Sequence, residues 1–406
     1  MNVNRHDARP ASVEEVLVLV RESCRPLETE PLTLDAALGR VLREPACAPE
    51  DQPPFDRAAM DGYAVRLDDP GRQFRVVDEI HAGEWKPRQL ERGEAVRIST
   101  GAALPGDGLQ IVINEEVVSG ETTIRVPRRD TGRNIRFRGE DARRGQVLVE
   151  AGTVLGPGSL ALLASVGCTR PLVTRLPRVL HAVTGDEIVP PEQAPPPGQI
   201  RDSNSTLVRA FLNQWGVQPE QHRLPDDESR AGAVLTQSGV STPDLLLVSG
   251  GASVGERDFT RRLLEHLGYT IRISKTNTRP GKPLIVAQRG GAIAFGLPGN
   301  PLAHFVCLYL YVRVALDRFS GSRAPSPFEQ GQLATDLEAD GNARETFWPA
   351  RCSNENGAVR LRPLPWTSSG DLTSLATANA LVRVPAGCTK LPRDAAIEFV
   401  PTRPFE

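Results

Sequence analysis

The sequence predicts a multidomain chain of the α/β plus β class: a central, mostly parallel α/β sheet, a β-rich insert before it and a small C-terminal β-barrel or sandwich of about eighty residues after it. Between positions 178 and 319, apolar runs alternate with segments of helical period, the pattern of a mostly parallel sheet with helices on both faces. From 61 to 149 the runs are short and β-like, separated by turns such as Pro105-Gly106 and Ser119-Gly120. After Ala324-Pro-Ser-Pro327, short strands and turns return, with a late turn at Ala386-Gly387. With 406 residues the chain has room for several domains, and 39% hydrophobic content is ample for their cores.

Each element has a local reason. Ser12 as N-cap and Glu15 three residues on form a capping box, and Leu17, Val18 and Val20 follow it. Residues 32–41 read as one or two short helices, and the proline-rich, acidic stretch 45–54 marks a boundary. Strands of the insert are expected at 74–77, 95–98, 111–113 and 122–126. A helix begins near Ser159 and stops at Gly167. Val179-Leu-His-Ala-Val183 is a strand, and Ser203 or Asn204 caps a helix with Leu207, Phe211, Leu212 and Trp215 on one face and Gly216 at its end. Another helix follows Asp258 and ends at Gly268, and 190–197 is a surface loop. The longest apolar run, 302–316, carries His304 and Arg313; it is too short and too polar to span a bilayer, and reads as a buried helix.

Composition excludes several classes. A net charge of −2 gives no global case for nucleic acid. The arginines at 125, 128, 129, 133, 136, 138, 143 and 144 read mostly as a solvated face, some of which could meet a polyanion. The six cysteines contain no CxxC pair and the N-terminus is polar, without a signal peptide, so free thiols in the cytoplasm are the expectation. The histidines form no pair at metal-ligand spacing, which argues against structural zinc.

Three glycine-rich loops adjoin apolar strands. Asp244-Leu-Leu-Leu-Val248 runs into Ser249-Gly-Gly-Ala-Ser-Val-Gly-Glu-Arg-Asp258; Arg279-Pro-Gly-Lys-Pro283 leads into Leu284-Ile-Val-Ala287; Ala292-Ile-Ala-Phe295 runs into Gly296-Leu-Pro-Gly-Asn-Pro301. Glycine lets backbone N–H groups approach an anion, and a helix start adds its positive end. Three such loops point to a phosphate-bearing ligand at the carboxyl ends of the sheet. Acids are plentiful in the motifs, and Asp186 and Glu187 directly follow a strand, where a metal could bridge to phosphate. Lys275, Arg279 and Lys282 are the basic counterpart, suited to a small oxyanion.

The densest signature is Pro53-Pro-Phe-Asp-Arg-Ala-Ala-Met-Asp-Gly-Tyr-Ala-Val65. It resembles the hallmark of the MoeA family, the molybdopterin molybdenumtransferases, shared with the E domains of animal gephyrin and its plant counterpart. Thr100-Gly-Ala, Asn134-Ile-Arg-Phe-Arg-Gly-Glu-Asp141, Thr184-Gly-Asp-Glu187, Gln199-Ile-Arg-Asp-Ser-Asn204 and the three loops match further family motifs in the family's order. The match covers essentially the whole chain and is weakest at the C-terminus.

The resemblance implies an elongated connecting and dimerisation domain (1–45 with 146–176), the β-rich insert (46–145), a molybdopterin-binding type α/β domain (177–322) and the C-terminal barrel domain (323–406). It implies insertion of molybdate into adenylylated molybdopterin with release of AMP, dependent on Mg²⁺, in a homodimer whose site draws on both subunits. A molybdopterin adenylyltransferase acts upstream; nucleic acid and membrane are not partners. Catalytic roles fall to Asp61, Thr100, Asp141, Glu187, Asp227 and Asp258. Asp186, Glu187 and Asp258 are the candidate metal ligands. Substrate binding falls to Ser203, Asn204, Gly250, Gly251, Ser253, Gly255, Pro298, Gly299, Asn300 and Pro301. Ser203 and Asn204 read equally as helix caps, and Pro298 and Pro301 as loop-shaping residues. Molybdate binding falls to Lys275, Arg279, Lys282, Ser369, Arg136 and Arg344, with Arg351 the alternative to Arg344. The family usually has lysine where this chain has Arg279, which keeps the charge and changes the donor geometry.

Two other functions stay open on the sequence. Molybdopterin adenylylation would need only a domain like 178–320, so the flanking residues with Met60-Asp61-Gly62-Tyr63 argue against it. A non-catalytic molybdopterin-binding scaffold is the other, against which the near-complete set of motif acids weighs.

Overall fold

The computed structural model describes residues 9–128, 132–225, 228–237, 243–250, 254–322 and 326–402. Its first helix, α1 (Val13–Ser23), is opened by the predicted capping box: Ser12 Oγ accepts from the Glu15 backbone N–H and the Glu15 carboxylate from that of Ser12. Val13, Val16, Leu17 and Val20 are buried and Val18 is exposed, a stripe at helical spacing. That stripe packs into the core of the central domain.

A small connecting unit comes from two separated segments. Thr29–Pro31 pairs with Leu172–Thr174 and Ala46–Cys47 with Val147–Val149, and helix α2 (Pro157–Ser165) packs beside them around Ala37, Leu42, Leu155, Leu163 and Val173. Of the short helices expected over 32–41, the structure has a single 3₁₀ turn, Asp35–Ala37; Gly39, at φ +74°, turns the chain away.

The insert is a six-stranded sheet of β1 (Gly62–Arg66), β2 (Gln73–Ile80), β3 (Glu94–Ile98), β4 (Leu109–Ile113), β5 (Val118–Ser119) and β6 (Thr123–Arg125), in the order β4-β1-β3-β2-β6-β5. All four predicted runs are strands in it.

The central domain is a six-stranded sheet built from β7 (Val179–Val183), β8 (Glu220–Arg223), β9 (Leu245–Ser249), β10 (Thr270–Ile273), β11 (Ile285–Arg289) and β12 (Ala292–Leu297), in the order β8-β7-β9-β12-β11-β10. The first four in that order are parallel; β11 and β10 add antiparallel. Alternate residues face opposite layers: Val179, Leu245, Leu247, Ile293 and Phe295 bury in one cluster, and Leu180, Ala182, Leu246, Val248 and Ala294 in another. Helices α3 (Asn204–Asn213), α4 (Glu228–Gln237) and α5 (Val254–His266) cover it; α5 starts before Asp258, earlier than expected. The buried apolar run forms α6 (Pro301–Cys307) and α7 (Arg313–Ser320), joined through a π-helical segment, Leu308–Val312. No helix among the described residues is long and apolar enough to cross a membrane.

The C-terminal region is a closed five-stranded barrel of β13 (Glu329–Leu333), β14 (Glu345–Glu355), β15 (Ala358–Pro363), β16 (Ala380–Val384) and β17 (Ala396–Pro401). Pairing runs β14-β15-β13-β17-β16 and β16 returns to β14. Closure removes free sheet edges. Phe347, Leu381 and Val400 from the barrel join the same core cluster as the central sheet.

Gly62 of the hallmark motif lies within β1, between β3 and β4, where a Cβ would stand 2.1 Å from the carbonyl oxygen of Val112. Gly62→Ala is expected to destabilise the insert by about 1–3 kcal/mol, read as a lowered thermal midpoint. Gly291→Ala, whose Cβ meets nothing within 4 Å, should stay within about 0.5 kcal/mol of the parent.

Candidate functional site

A cavity of ≈ 580 Å³ opens where the central domain meets the barrel. A short strand, Thr278–Arg279, leaves the central domain and pairs in parallel with β14 at Glu345 and Thr346. That pairing carries the Arg279-Pro-Gly-Lys-Pro283 loop onto the barrel rim, with Gly281 at φ +137° making the bend. Arg279, Lys282, Asn300, Arg344, Trp366 and Ser369 all line the cavity.

The cations are held in distinct ways. Arg279 Nη1 donates to both carboxylate oxygens of Asp340 at 2.5 Å, and its guanidinium lies over the Trp366 ring, 5.4 Å from the centroid. The hydrogen bond from Arg279 holds the Asp340 carboxyl below the usual carboxylate range. Arg344 Nη1 donates to the Thr278 carbonyl oxygen at 3.4 Å, and its pKa is pushed down by burial first and by Arg279 second. Asn300 Nδ2 donates to Ser369 Oγ at 2.8 Å, and the Leu302 backbone N–H donates to the Ser369 carbonyl oxygen at 3.0 Å. Gathered cations and small polar groups suit a compact oxyanion.

The other glycine loops sit at the carboxyl ends of β7, β9 and β12. Asp186 and Glu187 are exposed on the loop after β7. Gly250, at φ +134°, leaves β9 so close to that loop that a Cβ would stand 2.0 Å from Thr184 Oγ1. Asn204 opens α3; its Nδ2 donates to the Gly299 carbonyl oxygen at 2.8 Å, and its Oδ1 is buried with no partner among the described residues. Ser203 occupies the N-cap position without a capping bond; Asp202 accepts from the Ser205 N–H at 2.9 Å instead. Pro298 and Asn300 reach the cavity, and Pro301 opens α6.

The insert holds the third group. The Asp61 carboxylate accepts from the Thr100 backbone N–H at 2.6 Å and its hydroxyl at 2.8 Å, chiefly the former keeping it ionised below the usual range. Arg136 pairs with Glu140, and with Asp141 at 2.5 Å. These bonds stay inside the insert, whereas Glu187 belongs to the central domain. Arg136 therefore lies with the insert carboxylates, and Lys275 and Arg351 are outside the cavity lining that includes Arg344. Gly255 and Asp258 fall in the first turns of α5. Asp227, Gly251 and Ser253 lie outside the described residues.

Among the described residues no three or more His, Cys, Asp or Glu side chains gather as a metal-binding group. Mg²⁺ is usually held by one or two carboxylates together with waters and substrate phosphates. Asp186 and Glu187 are a donor set of that kind. Sequence reasoning missed Asp340, Trp366 and Asp202. Asp202 carried a readable signal, an acid three residues before Ser205 at a helix start; Asp340 and Trp366 carried none.

Known proteins resemble the chain along its length. Residues 11–167 match the MoeA N-terminal region (domain I and II), 182–318 a probable molybdopterin binding domain, and 330–401 the MoeA C-terminal region (domain IV). The chain is 33% identical over 391 residues to the molybdopterin molybdenumtransferase of Bacillus subtilis, covering 93% of this chain and 91% of that one. The enzyme of the same name from a Nostoc species is 34% identical, over 89% of this chain and 86% of its own. A solved molybdopterin biosynthesis MoeA protein from Pyrococcus horikoshii superposes with a TM-score of 0.82 at 29% identity, over 98% of this chain and 100% of its own.

Asp340 holds Arg279 where an oxyanion would compete for it. Asp340→Asn is expected to tighten molybdate or sulfate binding up to about fivefold in titration calorimetry, a modest gain because the carboxylate is solvent-exposed.

Proposed function

The chain belongs to the MoeA family, the molybdopterin molybdenumtransferases, and is an enzyme of molybdenum cofactor biosynthesis; on that premise we propose how its residues divide the work. The substrate is adenylylated molybdopterin, supplied by a molybdopterin adenylyltransferase, and the products are molybdenum-bearing molybdopterin and AMP. The observation that carries this reading is the single cavity gathering Arg279, Lys282 and Arg344 with Asn300 and Ser369.

Molybdate, a small dianion, sits among those cations. The loop at 298–300 lines the cavity on one side and is tied to Asn204 on the other. A pterin adenylate spanning it presents its dithiolene to the oxyanion and its phosphates to the loops after β7 and β9. Asn204 Oδ1, buried and without a hydrogen-bond partner among the described residues, accepts a hydrogen bond from the ligand in this reading. Asp186, Glu187 and Asp258 are the residues that would hold Mg²⁺, which would supply charge neutralisation on the phosphate oxygens. The Thr100 donors favour the ionised form of Asp61, holding its carboxyl below the usual carboxylate range. Adenylyl transfer by the protein is the less favoured reading, since the transferase relatives match along the flanking regions as well as the central domain.

The enzyme acts as a homodimer in which Asp61, Thr100 and Asp141 of one insert serve Glu187 of the other subunit. The support is that their hydrogen bonds remain inside the insert. A cytoplasmic location is supported by six free thiols.

Asp61→Asn and Glu187→Gln, each alone, are expected to abolish molybdate-dependent AMP release while keeping AMP binding. Co-refolding the two inactive variants should restore up to about a quarter of wild-type activity, because mixed dimers then contain one intact shared site. Recovery of nothing would place the acids in cis and overturn the shared-site arrangement.

A further inference from the structure

Beneath the carboxyl ends of the central sheet runs a buried polar chain that the reaction above does not use. His181 in β7, Ser249 at the end of β9 and His304 in α6 are 0%, 2% and 0% exposed. Gln221 Nε2 stands 2.7 Å from His181 Nδ1, and His181 Nε2 stands 2.6 Å from Ser249 Oγ. Ser249 Oγ is 3.5 Å from His304 Nε2, the longest link, and His304 Nδ1 is 3.0 Å from the Pro298 carbonyl oxygen.

Both ends have fixed polarity, and that fixes every proton between them. A carbonyl oxygen only accepts, so His304 Nδ1 carries the proton, and in the neutral ring that burial favours its Nε2 is bare. At the other end Arg209 donates to Gln221 Oε1 at 2.6 Å, so the Gln221 amide turns its NH₂ toward His181 and toward the Ser205 carbonyl oxygen, 3.1 Å away. His181 Nδ1 therefore accepts, and its Nε2–H donates to Ser249 Oγ. The Ser249 hydroxyl then directs its own hydrogen at His304 Nε2. Two neutral imidazoles of opposite tautomer satisfy this chain; an extra proton on His181 sets two donors face to face at Gln221, and one on His304 makes the Ser249 hydroxyl accept from both rings and turns its own hydrogen away. Burial acts in the same direction, pushing His181 down to about 3 and His304 to about 4.

The chain meets each loop at the ligand end. The Ser249 carbonyl oxygen accepts from the Thr184 N–H at 2.9 Å, at the start of the loop bearing Asp186 and Glu187. Pro298 lines the oxyanion cavity, and the residues after it are tied to Asn204 and Ser369. We propose that His304 is a positioning residue for the oxyanion site: it sets the 298–300 loop by donating to the Pro298 carbonyl, while Ser249, held by His181, supplies the hydroxyl that satisfies its other nitrogen. This rests on the reading of the cavity as the molybdate site.

The test separates the two imidazole nitrogens. Asparagine at 304 replaces the Nδ1 donor, and glutamine replaces the Nε2 position. His304→Asn is expected to keep the molybdate Kd from titration calorimetry within about threefold of wild type, and His304→Gln to weaken it about tenfold, one positioning hydrogen bond. Ser249→Ala, which leaves the buried His181 Nε2–H without its acceptor, should weaken it by an intermediate factor and lower the thermal midpoint. In ¹⁵N spectra of histidine-labelled protein at pH 7, His304 should show the Nδ1–H tautomer and His181 the Nε2–H tautomer. Equal molybdate affinity in the Asn and Gln variants, or a charged or Nε2–H imidazole at His304, overturns the assignment. Wild-type protein that binds molybdate but releases no AMP from adenylylated molybdopterin refutes the proposed reaction and leaves the positioning role standing on the Kd values.

Discussion

The shared core between the barrel and the central sheet is the constraint on which the site depends. Phe347, Leu381 and Val400 bury with Leu297, Leu302 and the α6–α7 segment, so the two domains cannot separate without exposing large apolar side chains. Thr278–Arg279, paired to β14, adds a backbone tie across the same seam. The cavity lies at that seam, and its cations come from both sides: Arg279 and Lys282 from the central domain, Arg344 from the barrel. Cations brought together by apolar burial elsewhere do not need an anion to hold them in place, so the site is organised before its ligand arrives.

How much was legible in the sequence follows from the range of the interactions. Strand alternation, the Ser12 capping box and the three glycine loops are local patterns, and they reappear as elements. The cavity is not local. Arg279 and Asp340 are 61 positions apart and meet only because the barrel closes on the central domain. Nothing in the residues around Asp340 announces that partner. Arg344 and Arg351 were indistinguishable by pattern, and the difference is one of position: Arg344 precedes β14 at the rim, while Arg351 lies along the strand with its side chain exposed, away from the cavity. Histidine spacing along the sequence speaks only to metal ligation, and is blind to a hydrogen-bond chain assembled from β7, β9 and α6.

The π-helical segment Leu308–Val312 belongs to the same class of feature. It interrupts an apolar run that periodicity reads as one helix, and it is buried throughout. Its Tyr311 hydroxyl lies 2.5 Å from Thr278 Oγ1, directly before Arg279, and Tyr309 Oη accepts from Gln214 at the end of α3. The extra residue in that turn lets two tyrosines of one segment reach polar partners in different elements, one of them the tie to the barrel.

The charge balance of the cavity bears on how it can serve a transferred anion. Arg279, Lys282 and Arg344 face Glu338 and Asp340, so one net positive charge remains. A dianion entering such a site reverses that sign, and the exposed Asp340 stays nearby as a competing partner for Arg279. Three unopposed cations would bind an oxyanion more tightly, but in the proposed reaction the anion moves on to the dithiolene and gains nothing from ground-state affinity. Arginine at 279 suits this balance. Its guanidinium lies over the Trp366 ring while Nη1 pairs with Asp340, so it keeps its place when the anion leaves; a lysine there would bring a compact point charge without a planar face to lay on the ring.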